Sequence, residues 1–159
     1  MVGRTVKCEQ GKPWSLEIAV DQFCKGTLPF GPYYDHVLGY RKESLERPEK
    51  VLFMTYEELK DDPKTHVRRL AKFLGCPFED DENGEEELED IVRSCSFETL
   101  SNLEVNKSSE LKVHNIFPHN AFFRTGQVGD HLNFLKPEMI QRIDEITNEK
   151  FGAEVNFIV

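Results

Sequence analysis

The chain has 159 residues, long enough for one domain with a real core, and its 38% hydrophobic content is lean for a self-contained one. Its formal net charge of −9 argues against nucleic acid and anionic membranes as partners, since both call for clustered positive charge. No apolar run reaches membrane-spanning length and no hydrophobic leader core stands at the start, so no membrane partner is expected.

Residues 1–14 show no periodicity and read as an irregular lead-in. From Ser15 to Cys24, Leu16, Ala19, Val20 and Phe23 recur at helical spacing, and Gly26 stops the helix. Pro29-Phe30-Gly31-Pro32 is a rigid turn, and Pro32 opens a second helix to about Leu45. Arg47-Pro48-Glu49 breaks it. Val51-Leu52-Phe53-Met54 then forms an unbroken apolar run of strand length, as found in strands buried on both faces. Asp62 and Pro63 give the cap and first turn of a helix ending at Leu74, with Gly75 beyond it and Val67, Leu70, Ala71 and Leu74 as its inner stripe.

Between Glu79 and Asp90, nine of twelve residues are acidic. The segment reads as a solvated loop, because calcium loops need ligands at set offsets that are absent. Leu88, Ile91 and Val92 mark a short amphipathic helix at its far end. Ser96 caps another, with Phe97, Leu100 and Leu103 on its inner face. Residues 104–121 read as irregular polar loop, with His114 and His119 most simply solvated. Pro137 opens a last helix to about Lys150, burying Met139, Ile140, Ile143 and Ile146. Cys8, Cys24, Cys76 and Cys95 form no Cys-x-x-Cys pair and have no matching histidine set. That spacing predicts reduced, mostly buried thiols in a cytoplasmic protein, with neither disulfides nor a metal.

The stretch from Phe122 to His131 carries the most chemistry. Arg124 sits after two aromatics in a loop punctuated by Gly126 and Gly129. Glycines let backbone N–H groups approach an anion closely, and arginine supplies a fixed fork of charged donors. The same grammar also occurs in plain surface turns. Taken together, the chain offers one buried strand and roughly six helices. A strand hidden on both faces needs neighbours on both edges, so the chain reads as part of an α/β domain whose other strands lie upstream.

Three ordered blocks resemble the plant cytosolic sulfotransferases. They are Phe30-Gly31-Pro32-Tyr33-Tyr34-Asp35-His36-Val37-Leu38-Gly39-Tyr40, then Lys50 through Lys60 (KVLFMTYEELK), then Arg124-Thr125-Gly126-Gln127-Val128-Gly129-Asp130. Their order and spacing match the C-terminal half of that family over residues 15–159. The resemblance implies a partial three-layer, nucleotide-kinase-like (P-loop-type) α/β fold, mostly helical here with few parallel strands. It also implies transfer of a sulfuryl group from 3′-phosphoadenosine-5′-phosphosulfate (PAPS) to a hydroxyl of a small acceptor, such as a flavonoid, steroid, brassinosteroid, hydroxyjasmonate or desulfo-glucosinolate.

Carried over residue by residue, Arg124, Thr125 and Gly126 fall on the triplet that holds the donor's 3′-phosphate. Tyr56 falls on the tyrosine near the adenine. Cys95, Ser96, Phe97, Glu98, Thr99 and Leu100 fall on the segment lining the adenosine pocket. The Phe30 to Tyr34 turn resembles part of the acceptor wall. On the residues alone, Tyr56 suits a base platform at a strand end or simple packing on the next helix, and Phe97 suits core as well as adenine contact.

Thr125 replaces the family's lysine, His131 its tryptophan and Leu132 its second lysine. Each lost ion pair is worth about 0.2–1 kcal/mol, so the resemblance implies a weakened seat in which the Thr125 hydroxyl still donates. No glycine-rich phosphate loop precedes Ser15, and the family's catalytic histidine has no counterpart, so no residue here is assigned a catalytic role and the chain is expected to be inactive alone. Two other readings stay open: a shortened, non-catalytic product that associates with an intact relative, and a weak binder of 3′-phosphoadenosine nucleotides.

Overall fold

The helices begin where a short side chain can take a backbone N–H that the first turn leaves unpaired. In this computed structural model, which describes residues 15–28, 31–108, 111–113 and 117–152, five helices start in that way. Ser15 accepts from Ile18 N–H to start α1 (Leu16–Cys24). Thr55 and Glu58 form a reciprocal capping box at α3 (Tyr56–Asp61). Asp62 caps α4 (Pro63–Phe73), Asp81 caps α5 (Glu82–Ser94) and Ser96 caps α6 (Phe97–Asn102). The remaining helices are α2 (Tyr33–Glu46), α7 (Glu104–Lys107) and α8 (Pro137–Phe151). The lead-in over 1–14, Cys8, Phe30 and His114 lie outside the described residues.

The chain divides into two compact units, Met1–Phe53 with His131–Val159, and Met54–Asp130. In the first, α1 and α2 each pack on α8. Its centre is a knot of rings. Tyr34 lies 5.6 Å from Phe23 and 5.2 Å from Phe151 between centroids, and its hydroxyl shares a 3.0 Å hydrogen bond with Thr147 Oγ1. Burial pushes the Tyr34 phenol above its ordinary pKa. Polar ties flank the rings: Lys136 Nζ reaches Glu17 at 3.0 Å, and Arg142 Nη2 reaches Asp21 at 2.9 Å.

The second unit is organised by α4 against α5. Leu88 is completely buried there; covering a leucine fully stabilises by about 1.5–3 kcal/mol. Lys64 Nζ bridges Glu85 at 2.9 Å and Glu89 at 2.5 Å, and Arg68 also pairs with Glu85. Beyond α6 and α7, β1 (Leu111–Val113) pairs antiparallel with β2 (Phe117–Pro118), and one 3-10 turn, His119–Phe122, follows.

Several expectations are corrected. Val51–Met54 is half-buried, non-helical chain without a ladder, because a strand exists only through a hydrogen-bonded neighbour and none pairs with it among the described residues. For the same reason the expected parallel strands do not form among them; the β1–β2 pair is antiparallel. The acidic stretch is not a loop: residues 82–94 are helix α5. Glutamate is a good helix former, Asp81 caps the start, and Glu82 and Glu85 sit in the first turn where the helix dipole favours anions. Residues 104–121 are not uniformly irregular, since α7, β1, β2 and the 3-10 turn fall within them.

Leu74 is 64% exposed, because it is the C-cap residue at which the chain leaves α4 through Gly75 (φ 78°). Cys76 and Cys95 are exposed and Cys24 is half-buried, so the described thiols are free but not mostly buried. Cys76 and Cys95 stand just past helix ends, where no layer covers them. On α8, Met139 and Phe151 are buried, whereas Ile140, Ile143 and Ile146 are half-covered.

Candidate anion-binding site

The loop after the 3-10 turn is shaped by two left-handed glycines, Gly126 at φ 61° and Gly129 at φ 83°. Side-chain-bearing residues avoid that region, so the reversal between Arg124 and Asp130 depends on glycine. Gly126 is also tightly overlaid. A Cβ there would lie 2.3 Å from Phe97 Cδ2, so the Phe97 ring rests directly on the glycine backbone. Phe123 packs beside it, with ring centroids 5.8 Å apart. Phe97 thus serves as packing between α6 and the loop, and it physically joins two segments that the family resemblance assigns to one nucleotide.

The loop closes on Asp130. Its side chain is only 8% exposed, yet ionised carboxylates are buried at great cost unless paired. Arg124 Nη2 meets Asp130 Oδ2 at 2.7 Å, and Thr125 Oγ1 donates to the same oxygen at 2.9 Å. Arg124 itself stays 59% exposed. A guanidinium has five N–H donors, so holding one carboxylate is compatible with gripping a second anion from the solvent side. Thr125 differs: a hydroxyl has one proton, and here it is directed at Asp130. The donation to a ligand expected of Thr125 is therefore not what this geometry supplies.

The Cys95–Leu100 segment is largely engaged in local capping. Ser96 accepts from Thr99 N–H at 3.1 Å and donates to Thr99 Oγ1 at 3.0 Å, which donates to the Arg93 carbonyl at 2.8 Å. The Glu98 carbonyl takes Ser101 Oγ and Asn102 Nδ2, and the Leu100 carbonyl takes Asn106 Nδ2 at 2.8 Å. Cys95 and Glu98 face solvent. Tyr56 is the first residue of α3, 48% exposed. The contacts at Gly126 and Phe123 bring the loop and Phe97 together. His119 Nδ1 lies 3.0 Å from the Val105 carbonyl, which makes it a brace between loop segments.

Asp130 was not singled out by sequence. Its signal was slight, a carboxylate closing a glycine-hinged loop six positions after an arginine, and nothing in the pattern says that it turns inward. Among the described residues, no group of three or more His, Cys, Asp or Glu side chains could hold a metal. None of their helices is long and apolar enough to cross a membrane.

The geometry is an arginine fork held by a buried carboxylate on a glycine-hinged loop, an arrangement of the kind that can seat an oxyanion. Sequence likeness narrows the class. The profile of the Sulfotransferase domain family matches residues 4–154, and the chain belongs to that family. It is 46% identical over 147 residues to cytosolic sulfotransferase 16 of Arabidopsis thaliana, covering 91% of this chain and 44% of that relative. It is 48% identical over 138 residues to flavonol 4′-sulfotransferase of Flaveria chlorifolia, covering 87% of this chain and 43% of that one. The fold agrees: a mouse sulfotransferase crystallised in complex with PAP superposes with a TM-score of 0.68 at 27% identity, over 87% of this chain and 48% of that chain. The chain spans about half the length of the curated relatives it matches, 44% and 43% for these two. Its mostly helical architecture is a partial sulfotransferase fold.

Proposed function

We propose that this chain supplies the 3′-phosphoadenosine side of the donor site of a cytoplasmic, PAPS-dependent sulfotransferase acting on a hydroxyl of a small acceptor. Arg124 grips the 3′-phosphate. Gly126 gives the loop its left-handed turn and admits the Phe97 ring against the backbone, and Thr125 steadies the loop. Tyr56 and the Cys95–Leu100 segment flank the adenosine. The observation that carries the reading is the seating of Phe97 on Gly126, since one pocket for one nucleotide requires those two segments to touch. The names of the relatives add the acceptor class, flavonols for the Flaveria proteins, and the cytosolic setting for the Arabidopsis ones.

Sulfuryl transfer depends on holding donor and acceptor in line, stabilising charge on the transferring oxygens and removing the acceptor proton. The residues assigned here anchor the far end of the donor and do none of the last two. A cradle for the 5′-phosphosulfate and a base at the acceptor hydroxyl must therefore come from outside the segments assigned here. Incubating the 159-residue chain with labelled PAPS and a panel of flavonols and other hydroxylated acceptors should give no sulfated product, while equilibrium dialysis should show retention of 3′-phosphoadenosine 5′-phosphate. Turnover above the no-protein blank contradicts the assignment of roles, and absent retention contradicts the donor site.

A further inference from the structure

We infer that Asp130 is a positioning residue, whose buried carboxylate clasps the Arg124 guanidinium and the Thr125 hydroxyl and so sets the preference for a 3′-phosphorylated nucleotide over its 3′-hydroxyl counterpart. This rests on the donor-site reading above. Both contacts converge on one oxygen, Asp130 Oδ2, at 2.7 Å from Arg124 Nη2 and 2.9 Å from Thr125 Oγ1. The two residues so held are adjacent, and the next is the left-handed Gly126 beneath Phe97. One carboxylate therefore fixes the arginine fork at both its tip and its root.

Two effects of opposite sign compete. Asp130 is an anion behind the seat, which opposes a second anion. It also restricts the rotamers of a long side chain that is 59% exposed. The carboxylate is 8% exposed and the guanidinium 59%, so a phosphate arriving from solvent would stand nearer the guanidinium than the carboxylate, whereas the orienting contact is direct at 2.7 Å. Orientation therefore wins, and removing the charge weakens selection. Ordering one rotamer-rich side chain in advance corresponds to about tenfold in affinity.

The test measures the affinities of the full chain for 3′-phosphoadenosine 5′-phosphate and for adenosine 5′-phosphate by calorimetry, with melting curves alongside. Asp130→Asn keeps the shape and an acceptor for Thr125 but drops the ion pair. It should cut the preference for the 3′-phosphorylated nucleotide about tenfold while leaving adenosine 5′-phosphate within about twofold. Asp130→Glu, which keeps the charge, should recover part of it. A merely structural role would weaken both nucleotides together, and that outcome overturns the inference. So does an unchanged or raised preference in Asp130→Asn when Arg124→Ala abolishes it, a result that leaves the donor-site reading standing. If the wild-type chain binds neither nucleotide, or both equally, both readings fall. Should Asp130→Asn not fold, Thr125→Val decides, because it cuts only the hydroxyl contact; a preference no lower than wild type overturns the inference.

Discussion

At Gly126 two independent constraints meet in one residue: a left-handed backbone and an aromatic ring where a side chain would have to go. Gly126→Ala should destabilise the chain by about 1–3 kcal/mol in urea unfolding, combining backbone strain with displacement of Phe97. A cost within error of zero would mean that Phe97 does not rest on the loop. In the other unit, Tyr34→Phe removes one hydrogen bond to Thr147 and keeps the ring packing, so it should cost about 1 kcal/mol by the same measurement. The residue scale is also where the sequence is least explicit. The glycine hinges of the Arg124 loop are legible in the sequence, yet the inward turn of Asp130 and the capture of the Thr125 hydroxyl depend on packing that no spacing rule encodes.

At the scale of elements, local chemistry carries far. Asp62 and Ser96 each start a helix where their short oxygen-bearing side chains predict one, and Gly26 and Gly75 follow the helices they were expected to stop. The acidic stretch misleads because its charge density suggests solvent, whereas Asp81, the helix dipole and the Lys64 and Arg68 partners from α4 favour helix. Gly84 tests this account. A Cβ there would fall 2.0 Å from the Glu79 carbonyl oxygen, because the chain before α5 folds back over its first turn. Alanine is the better helix former by about 1 kcal/mol, yet Gly84→Ala should lower the melting temperature, the backbone collision outweighing propensity. A rise would show that the approach is not so close. Val51–Met54 misleads in the opposite sense: its composition asks for a sheet, and among the described residues no strand pairs with it.

For the molecule as a whole, the carboxylates set the pH response. Lys25, then Arg142, hold Asp21 below its ordinary 3.8; the Thr55 N–H holds Glu58, and Lys64, then Arg68, hold Glu85, below their ordinary 4.5. A group depressed in the folded state binds fewer protons there than in the unfolded chain, so its stabilisation is present above the ordinary value and is lost as acid approaches the lowered one. The melting temperature should therefore hold between neutrality and about pH 5 and fall steadily below it; a rise on acidification contradicts these pairings. Glu58 is exposed and Asp21 and Glu85 are partly so, hence the slope should be shallow and shallower still in high salt.

The central claim is that a single nucleotide site spans the Arg124 loop, the Cys95–Leu100 segment and Tyr56. Amide-resolved NMR of the labelled chain during titration with 3′-phosphoadenosine 5′-phosphate tests it most directly. The account predicts saturable shifts by about 1 mM ligand at Arg124 to Gly126, at Cys95 to Leu100 and at Tyr56, all abolished by Arg124→Ala. Spectra that do not move, or shifts confined to residues of the other unit, would contradict it.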